Sequence, residues 1–197
     1  MKKILIIAAM LSMAFVASAQ EAKKFAYVDF AELVQLMPEM DSARVKIAAQ
    51  EKEASEQMQM MYQEYQTKAN QFQQKQATWT PAIRDSKMRE IQDMEGRIQE
   101  FQQLLQQELQ QSQAQLQAPI VEKAQGVVKD LAKAKNVIFV FDKGSLLYFD
   151  EAQAFDLTQE ARKVLKIADG RTLETLQQEL QAQAQAAQAQ AQAAQAQ

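Results

Sequence analysis

The sequence predicts a mainly α-helical chain: a long antiparallel helical hairpin, or arm, projecting from a small β body that copies of the chain complete together. Three observations carry that expectation. The 197 residues include 35 Gln, mixed with Ala, Glu, Lys and Leu, but only 4 Gly and 3 Pro, the composition of long helices. Between Pro38 and Pro81 there is neither Gly nor another Pro. Only short stretches flanking the helical region have the aromatic and β-branched content that a strand wants.

The first segment reads as an address. Met1-Lys2-Lys3 is basic, Ile4 to Val16 is apolar, and Ala17-Ser18-Ala19 is an A-x-A cleavage site, the layout of a secretory signal peptide. The apolar run falls short of the roughly 20 residues that a spanning helix needs. Cleavage after Ala19 leaves a chain beginning at Gln20 and, by removing Lys2 and Lys3, takes the net charge from −3 to −5. An exported chain is expected in the periplasm, bound at the surface or secreted, where an ATP-driven mechanism has no fuel.

Lys24 to Phe30 alternates Phe25, Tyr27 and Asp29 against Ala26, Val28 and Phe30, and reads as a strand. Residues 38 to 78 then read as one helix, about 40 residues and roughly 60 Å long, too long for a compact domain of this size, so it is expected to project. Thr80 offers an N-cap and Pro81 suits the first helical position, so the chain turns back there. The returning helix carries Ile91, Met94, Ile98, Phe101, Leu105, Leu109 and Leu116 at coiled-coil spacing. The outgoing seam is thinner: Met40, Ile47, Ala54, Met58, Met61, Tyr65, Phe72 and Trp79, with Arg44, Glu51 and Lys68 at intervening heptad positions.

Pro119 is expected to kink or restart the second helix, because it removes a ladder donor. A helical face then continues through Val127, Val128 and Leu131 to about Lys135, where Asn136 ends it. Val137 to Phe141 reads as an apolar strand, Asp142-Lys143-Gly144-Ser145 as a turn, and Leu146 to Phe149 as the returning strand of a β-hairpin. Asp156-Leu157-Thr158-Gln159 opens a short helix to about Leu165, with Gly170 as its breaker. Residues 181–197 hold only Ala and Gln and are expected to be disordered or a frayed helix continuing Leu173, Leu176 and Leu180. The resulting organisation is a signal peptide over 1–19, an oligomerisation body over 20–37 and 118–167, an arm over 38–117, and a tail over 168–197.

Composition also removes most catalysis. With no His and no Cys, triads, thiolate nucleophiles, the usual zinc sites and disulfides are excluded. Asp29 and Asp142 look like a carboxylate pair, yet turn and strand-end roles account for both. We expect no enzyme and no cofactor. A body of fewer than 70 residues with three strands is marginal alone, and its open edges need covering, so the chain is expected to self-associate through Phe25, Tyr27, Val28, Val137, Phe139, Phe141, Leu147 and Tyr148.

The ordered set of signal peptide, strand Phe25 to Asp29, Gln/Glu/Lys-rich hairpin, Leu116-Gln117-Ala118-Pro119-Ile120, Val137 to Asp142, Leu147-Tyr148 and Asp156-Leu157-Thr158 resembles the Skp/OmpH-like periplasmic chaperones over residues 1–167. The resemblance implies a jellyfish-like homotrimer with three helical arms. It implies an ATP-independent holdase that keeps unfolded outer-membrane β-barrel proteins soluble in transit. The acidic net charge departs from the strongly basic character of well-known relatives, and the Ala/Gln tail lies outside the family pattern.

A holdase needs adaptable apolar contacts dispersed in a polar cavity, and unbranched, polarizable Met suits that need. The candidate client-binding residues are Met58, Met60, Met61, Tyr62, Tyr65, Phe72, Trp79, Met88 and Met94. Those at heptad spacing equally fit the hairpin's own seam, whereas Met60, Tyr62 and Met88 fall off it and read as client-facing. Lys68, Lys75, Arg84, Lys87 and Arg89 against Asp85 make the arm tip basic, suited either to an ordinary solvated surface or to transient contact with anionic lipid or lipopolysaccharide. Nucleic acid is not expected, since the exported, acidic chain lacks interleaved aromatic and basic residues. The competing readings are a passive coiled-coil scaffold and an efflux-type adaptor. The adaptor needs large β domains on both sides of the hairpin, and only residues 20–37 precede the arm.

Overall fold

The structure, a computed structural model, describes residues 25–195; the signal segment and its cleavage site lie outside the described residues. In chain order the elements are β1 (Phe25–Val28), α1 (Phe30–Leu36), α2 (Pro38–Lys75), α3 (Pro81–Ala134), β2 (Phe139–Asp142), single 3-10 turns at Lys143–Ser145 and Glu151–Gln153, β3 (Phe155–Asp156), α4 (Thr158–Val164) and α5 (Leu173–Gln195). Two units are distinct: a hairpin unit over Met37–Glu122, and a sheet unit made of the residues before and after it.

In the sheet unit the strand order is β2-β1-β3, and both pairings are parallel. This corrects the expected hairpin. Residues 146–149 form no strand, and the third strand is Phe155–Asp156. The chain leaving Asp142 does not pair on the free outer edge of β2 but crosses to the far edge of β1, and residues 143–154 make that crossing. The sheet is open, not a barrel. The register sets Phe25 beside Phe139 and Tyr27 beside Phe141, so one face carries these four aromatics while Ala26, Val28 and Val140 point to the other.

β1 also ends earlier than its alternation suggests. Asp29 caps α1, its Oδ1 accepting the Glu32 N–H at 2.9 Å, and that bond satisfies a helix-start donor. The Asp29 N–H donates to Thr158 Oγ1 at 3.1 Å, and the Phe30 N–H donates to Asp142 Oδ1 at 3.2 Å. The two aspartates therefore tie strand ends to helix starts. Leu33, Leu36, Ala124, Val128, Leu157, Ala161, Leu165, Ile167 and Leu176 are the buried apolar residues of the helices and loops here, and α1 packs against both α4 and α5.

Helix ends follow local chemistry. α3 stops at Asn136, which takes φ 55° while the Val137 N–H returns to the Ala132 carbonyl at 2.9 Å and the Asn136 N–H to Lys133 at 3.1 Å, a Schellman closure. α4 closes in the same way at Lys166 (φ 58°), with Ile167 returning to Arg162 at 2.9 Å. Lys166, not Gly170, is thus its breaker. Asp156 does not cap α4 from the N-cap position, which Leu157 holds; its Oδ1 accepts the Thr158 N–H at 2.8 Å. Pro119 neither breaks nor restarts its helix: α3 runs through it, since one missing N–H in so long a ladder leaves its neighbours paired. The tail is helical through Gln195, opened by Thr172 and Thr175, whose hydroxyls accept each other's backbone N–H at 3.2 and 3.0 Å.

Arg162 is the buried cation of this unit. It pairs with Glu32 on α1 and donates to the Ala168 and Arg171 carbonyls at 3.3 and 2.5 Å, joining α1, α4 and the approach to α5. Removing one partner strands the others, so Arg162→Ala is expected to lower stability by about 3 kcal/mol, read as a urea midpoint. Deleting 181–197, whose described side chains are exposed, is expected to leave that midpoint in place.

Candidate client-binding and self-association surfaces

The hairpin unit is zipped by bonds whose partners run in opposite directions along the two helices. Gln50 Oε1 accepts from Ser112 Oγ at 2.7 Å, the Tyr62 hydroxyl from Gln102 Nε2 at 2.9 Å, and Glu95 Oε1 from the Tyr65 hydroxyl at 2.7 Å. Lys68 reaches Glu90 at 3.7 Å. The apolar centre is small. Met61, Met94 and Ile98 are buried together, with Met58, Tyr65 and Phe101 partly buried against them, while Ala54 and Ile91 are buried further along the two helices. At the turn, Phe72 and Trp79 meet edge to face at 5.9 Å, and Thr80 Oγ1 accepts the Ile83 N–H at 3.4 Å.

Candidate residues therefore divide by position. Met61 and Met94 are consumed by the seam, and Met58, Tyr65, Phe72 and Trp79 are half-buried. Met60, Tyr62 and Met88 are exposed at 56%, 42% and 40%. Tyr62 has a second attachment that spacing did not reveal: with Ala54, Met58, Leu105 and Leu109 it lines an apolar hollow of about 470 Å³ rimmed by Glu51 and Gln59. Leu104 and Ile83 are also exposed and were missed. Leu104 stands next to seam residue Leu105, and that off-register doubling was the available signal.

The tip is less basic than its run of cations suggested. Glu90, just beyond that run, holds Lys87 at 2.8 Å and Lys68 at 3.7 Å, and the Lys87 hydrogen bond keeps the Glu90 carboxyl below its ordinary range. Lys68 also reaches Glu64 at 3.6 Å. Lys75, Arg84 and Arg89 have no carboxylate partner among the described residues.

In the sheet unit, Phe25, Phe139 and Phe141 stack with centroids 6.2 to 6.4 Å apart, yet remain 46%, 56% and 39% exposed. Tyr27 is buried beneath Phe149 at 4.7 Å and Lys143 at 5.5 Å; burial, with Asp156 and Glu151 nearby, pushes its hydroxyl above the usual range. Val28 is buried, Val137 half-buried, and Leu147 and Tyr148 stand free of the surface at 106% and 86%. Parallel sheets are normally covered on both faces; this one shows an aromatic face to solvent.

Residues 24–165 match the family model described as outer membrane protein (OmpH-like). The chain belongs to the OmpH-like family. No curated protein matches it. Its place among the OmpH-like proteins makes it a periplasmic chaperone for outer-membrane proteins, and not an enzyme. The sequence holds no Cys, and no group of three or more acidic residues placed to hold a metal occurs among the described residues. No described helix is long and apolar enough to cross a membrane. The OmpH-like match takes in both surfaces described above and stops before α5.

The seam and the exposed Met residues separate on substitution. Met94→Ala is expected to cost about 2–3 kcal/mol and Met60→Ala close to nothing, measured by thermal unfolding. Glu95 raises the Tyr65 pKa above 10.0; the folded hairpin keeps that proton where the unfolded chain gives it up, so stability falls as pH rises past 10.0. Tyr65→Phe is expected to remove that part of the pH dependence.

Proposed function

We propose that this OmpH-like chaperone is an ATP-independent holdase: a homotrimer whose β bodies associate and whose helical hairpins surround a cavity in which unfolded outer-membrane β-barrel proteins are kept from aggregating. The observation that carries the reading is the division of the hairpin's apolar residues. A narrow Met-centred seam holds the two helices together, while Met60, Met88 and the hollow beside Tyr62 stay available. Met side chains re-pack around different partners at little cost, and dispersed weak sites hold an unfolded chain without fixing it. Release then needs no fuel.

Self-association is supported by the solvent-exposed aromatic face and the open edges of the sheet. A signal peptide cleaved after Ala19 would deliver the chain to the periplasm. Lys75, Arg84 and Arg89 give the tip a positive surface suited to transient contact with anionic lipid or lipopolysaccharide.

The decisive assay is light scattering from a urea-unfolded outer-membrane β-barrel protein diluted into ATP-free buffer with and without the mature chain. Suppression saturating at a fixed ratio of three chains to one client is expected; no suppression at any ratio would leave a passive scaffold as the better reading. Met60→Glu combined with Met88→Glu is expected to weaken client retention about tenfold with the oligomer mass unchanged. Equal retention by the double variant would remove these two residues as contacts.

A further inference from the structure

All the sulfur of this chain is thioether, because it has Met and no Cys. Among the described residues these thioethers fall into two sets. Met37, Met40, Met61 and Met94 are buried, at 0 to 9% exposure, whereas Met60 and Met88 are 56% and 40% exposed. Met58, half-buried, stands between the sets at the edge of the hollow beside Tyr62.

With no thiol to intercept an oxidant, the thioethers that solvent reaches are the first sulfurs it meets. In the step, a sulfur lone pair attacks one oxygen of hydrogen peroxide. An S–O bond forms, the O–O bond breaks, and the departing hydroxide takes the remaining proton and leaves as water. Sulfur gives two electrons to the peroxide, and an apolar side chain becomes a polar sulfoxide.

Position decides what that change does. At Met61 or Met94 a sulfoxide dipole would sit in the apolar centre with Ile98 and Phe101, and burying it there would force the two helices apart. Those sulfurs are covered. At Met60 and Met88 the new dipole stays in water, so the seam is kept, while the apolar contact each side chain offers a partner becomes a hydrated polar one. The hairpin thus shields the Met residues whose oxidation would damage the fold and exposes those whose oxidation alters only binding.

We infer that Met60 and Met88 are a modification site, oxidised reversibly to sulfoxides, and that the modified chaperone holds its clients more weakly. The weakening rests on the client contacts proposed above; the site of modification does not. Having no thiol of its own, the chain relies on external sulfoxide reductases, one for each sulfoxide epimer, which return the thioether and release water as a dithiol becomes a disulfide.

The test treats the full mature protein with rising doses of hydrogen peroxide, maps oxygen uptake by peptide mass, and repeats the light-scattering assay on each sample. Expected are uptake at Met60 and Met88 before Met61 and Met94, and an unchanged urea midpoint at the two-oxygen stage. Client retention at that stage is expected to be about tenfold weaker and to recover after treatment with both epimer-specific reductases and dithiothreitol. Met60→Leu combined with Met88→Leu keeps the apolar volume but takes up no oxygen at those positions. Measured against its own untreated sample, that variant is expected to keep its retention at the same dose. Uptake at Met61 or Met94 as early as at Met60 would overturn the site. Unchanged retention at the two-oxygen stage, or an equal fall in the Met60→Leu, Met88→Leu variant, would overturn the effect on binding. An untreated wild-type chain that suppresses no scattering would instead remove the holdase reading, and the order of uptake would still decide the site.

Discussion

The four residues of β1 are the only strand of the sheet with a partner on both edges, and the sheet unit depends on that double pairing. β2 and β3 do not touch; each is held because β1 lies between them. At the end of β1 the backbone passes straight into α1, and three polar groups from distant parts of the chain meet there: the Asp29 carboxylate, Thr158 Oγ1 and Asp142 Oδ1. A strand this short has few ladder bonds, so its termini carry much of the positioning. That is why the two aspartates are spent on backbone N–H groups and not on chemistry.

The hairpin unit answers a different demand. Two helices of this length are stable only when their facing sides exclude water, and an unbroken Leu or Ile zipper would do so firmly. Here the outgoing helix contributes Met, Ala and Tyr, and polar side chains bridge the helices between apolar contacts. Such a pair holds together while keeping the ability to shift locally, and leaves apolar side chains over for other partners. The holdase role proposed above would use that combination: firm enough to remain helical, loose enough to accommodate unlike sequences.

Much of this was legible from residue order. The hairpin, its turn at Thr80-Pro81, its seam and the Asn136 stop follow from periodicity and cap chemistry, and the strands around Tyr27 and Val140 follow from their content. The sheet's connectivity was not. Leu146 to Phe149 after Asp-Lys-Gly-Ser has every local mark of a returning strand, but a local pattern cannot show that the chain pairs instead on the far edge of β1. Likewise Phe30 reads as the last residue of the strand until Asp29 is seen capping a helix that begins there. The candidate contacts were found as residue types; which were consumed by the seam, and which stood beside the hollow near Tyr62, depended on helix rotation and on bonds such as Gln102 to Tyr62. Glu90 lay one residue beyond the run of cations and altered the tip's charge.

Parallel pairing of β1 with β2 carries a kinetic consequence. The Phe30 N–H and its acceptor on Asp142 are 112 residues apart, and Asp29 and Thr158 are 129 apart, so closing the sheet directly would order a very long loop before any reward. Antiparallel zipping of α2 on α3 uses near neighbours around the Trp79 turn, so loop-closure entropy favours its forming before the sheet. Until that happens the aromatic strand at the start has no partner. On that order of events the first strand of this chaperone is an unprotected edge for an interval, and the rate of arm closure sets how long it lasts.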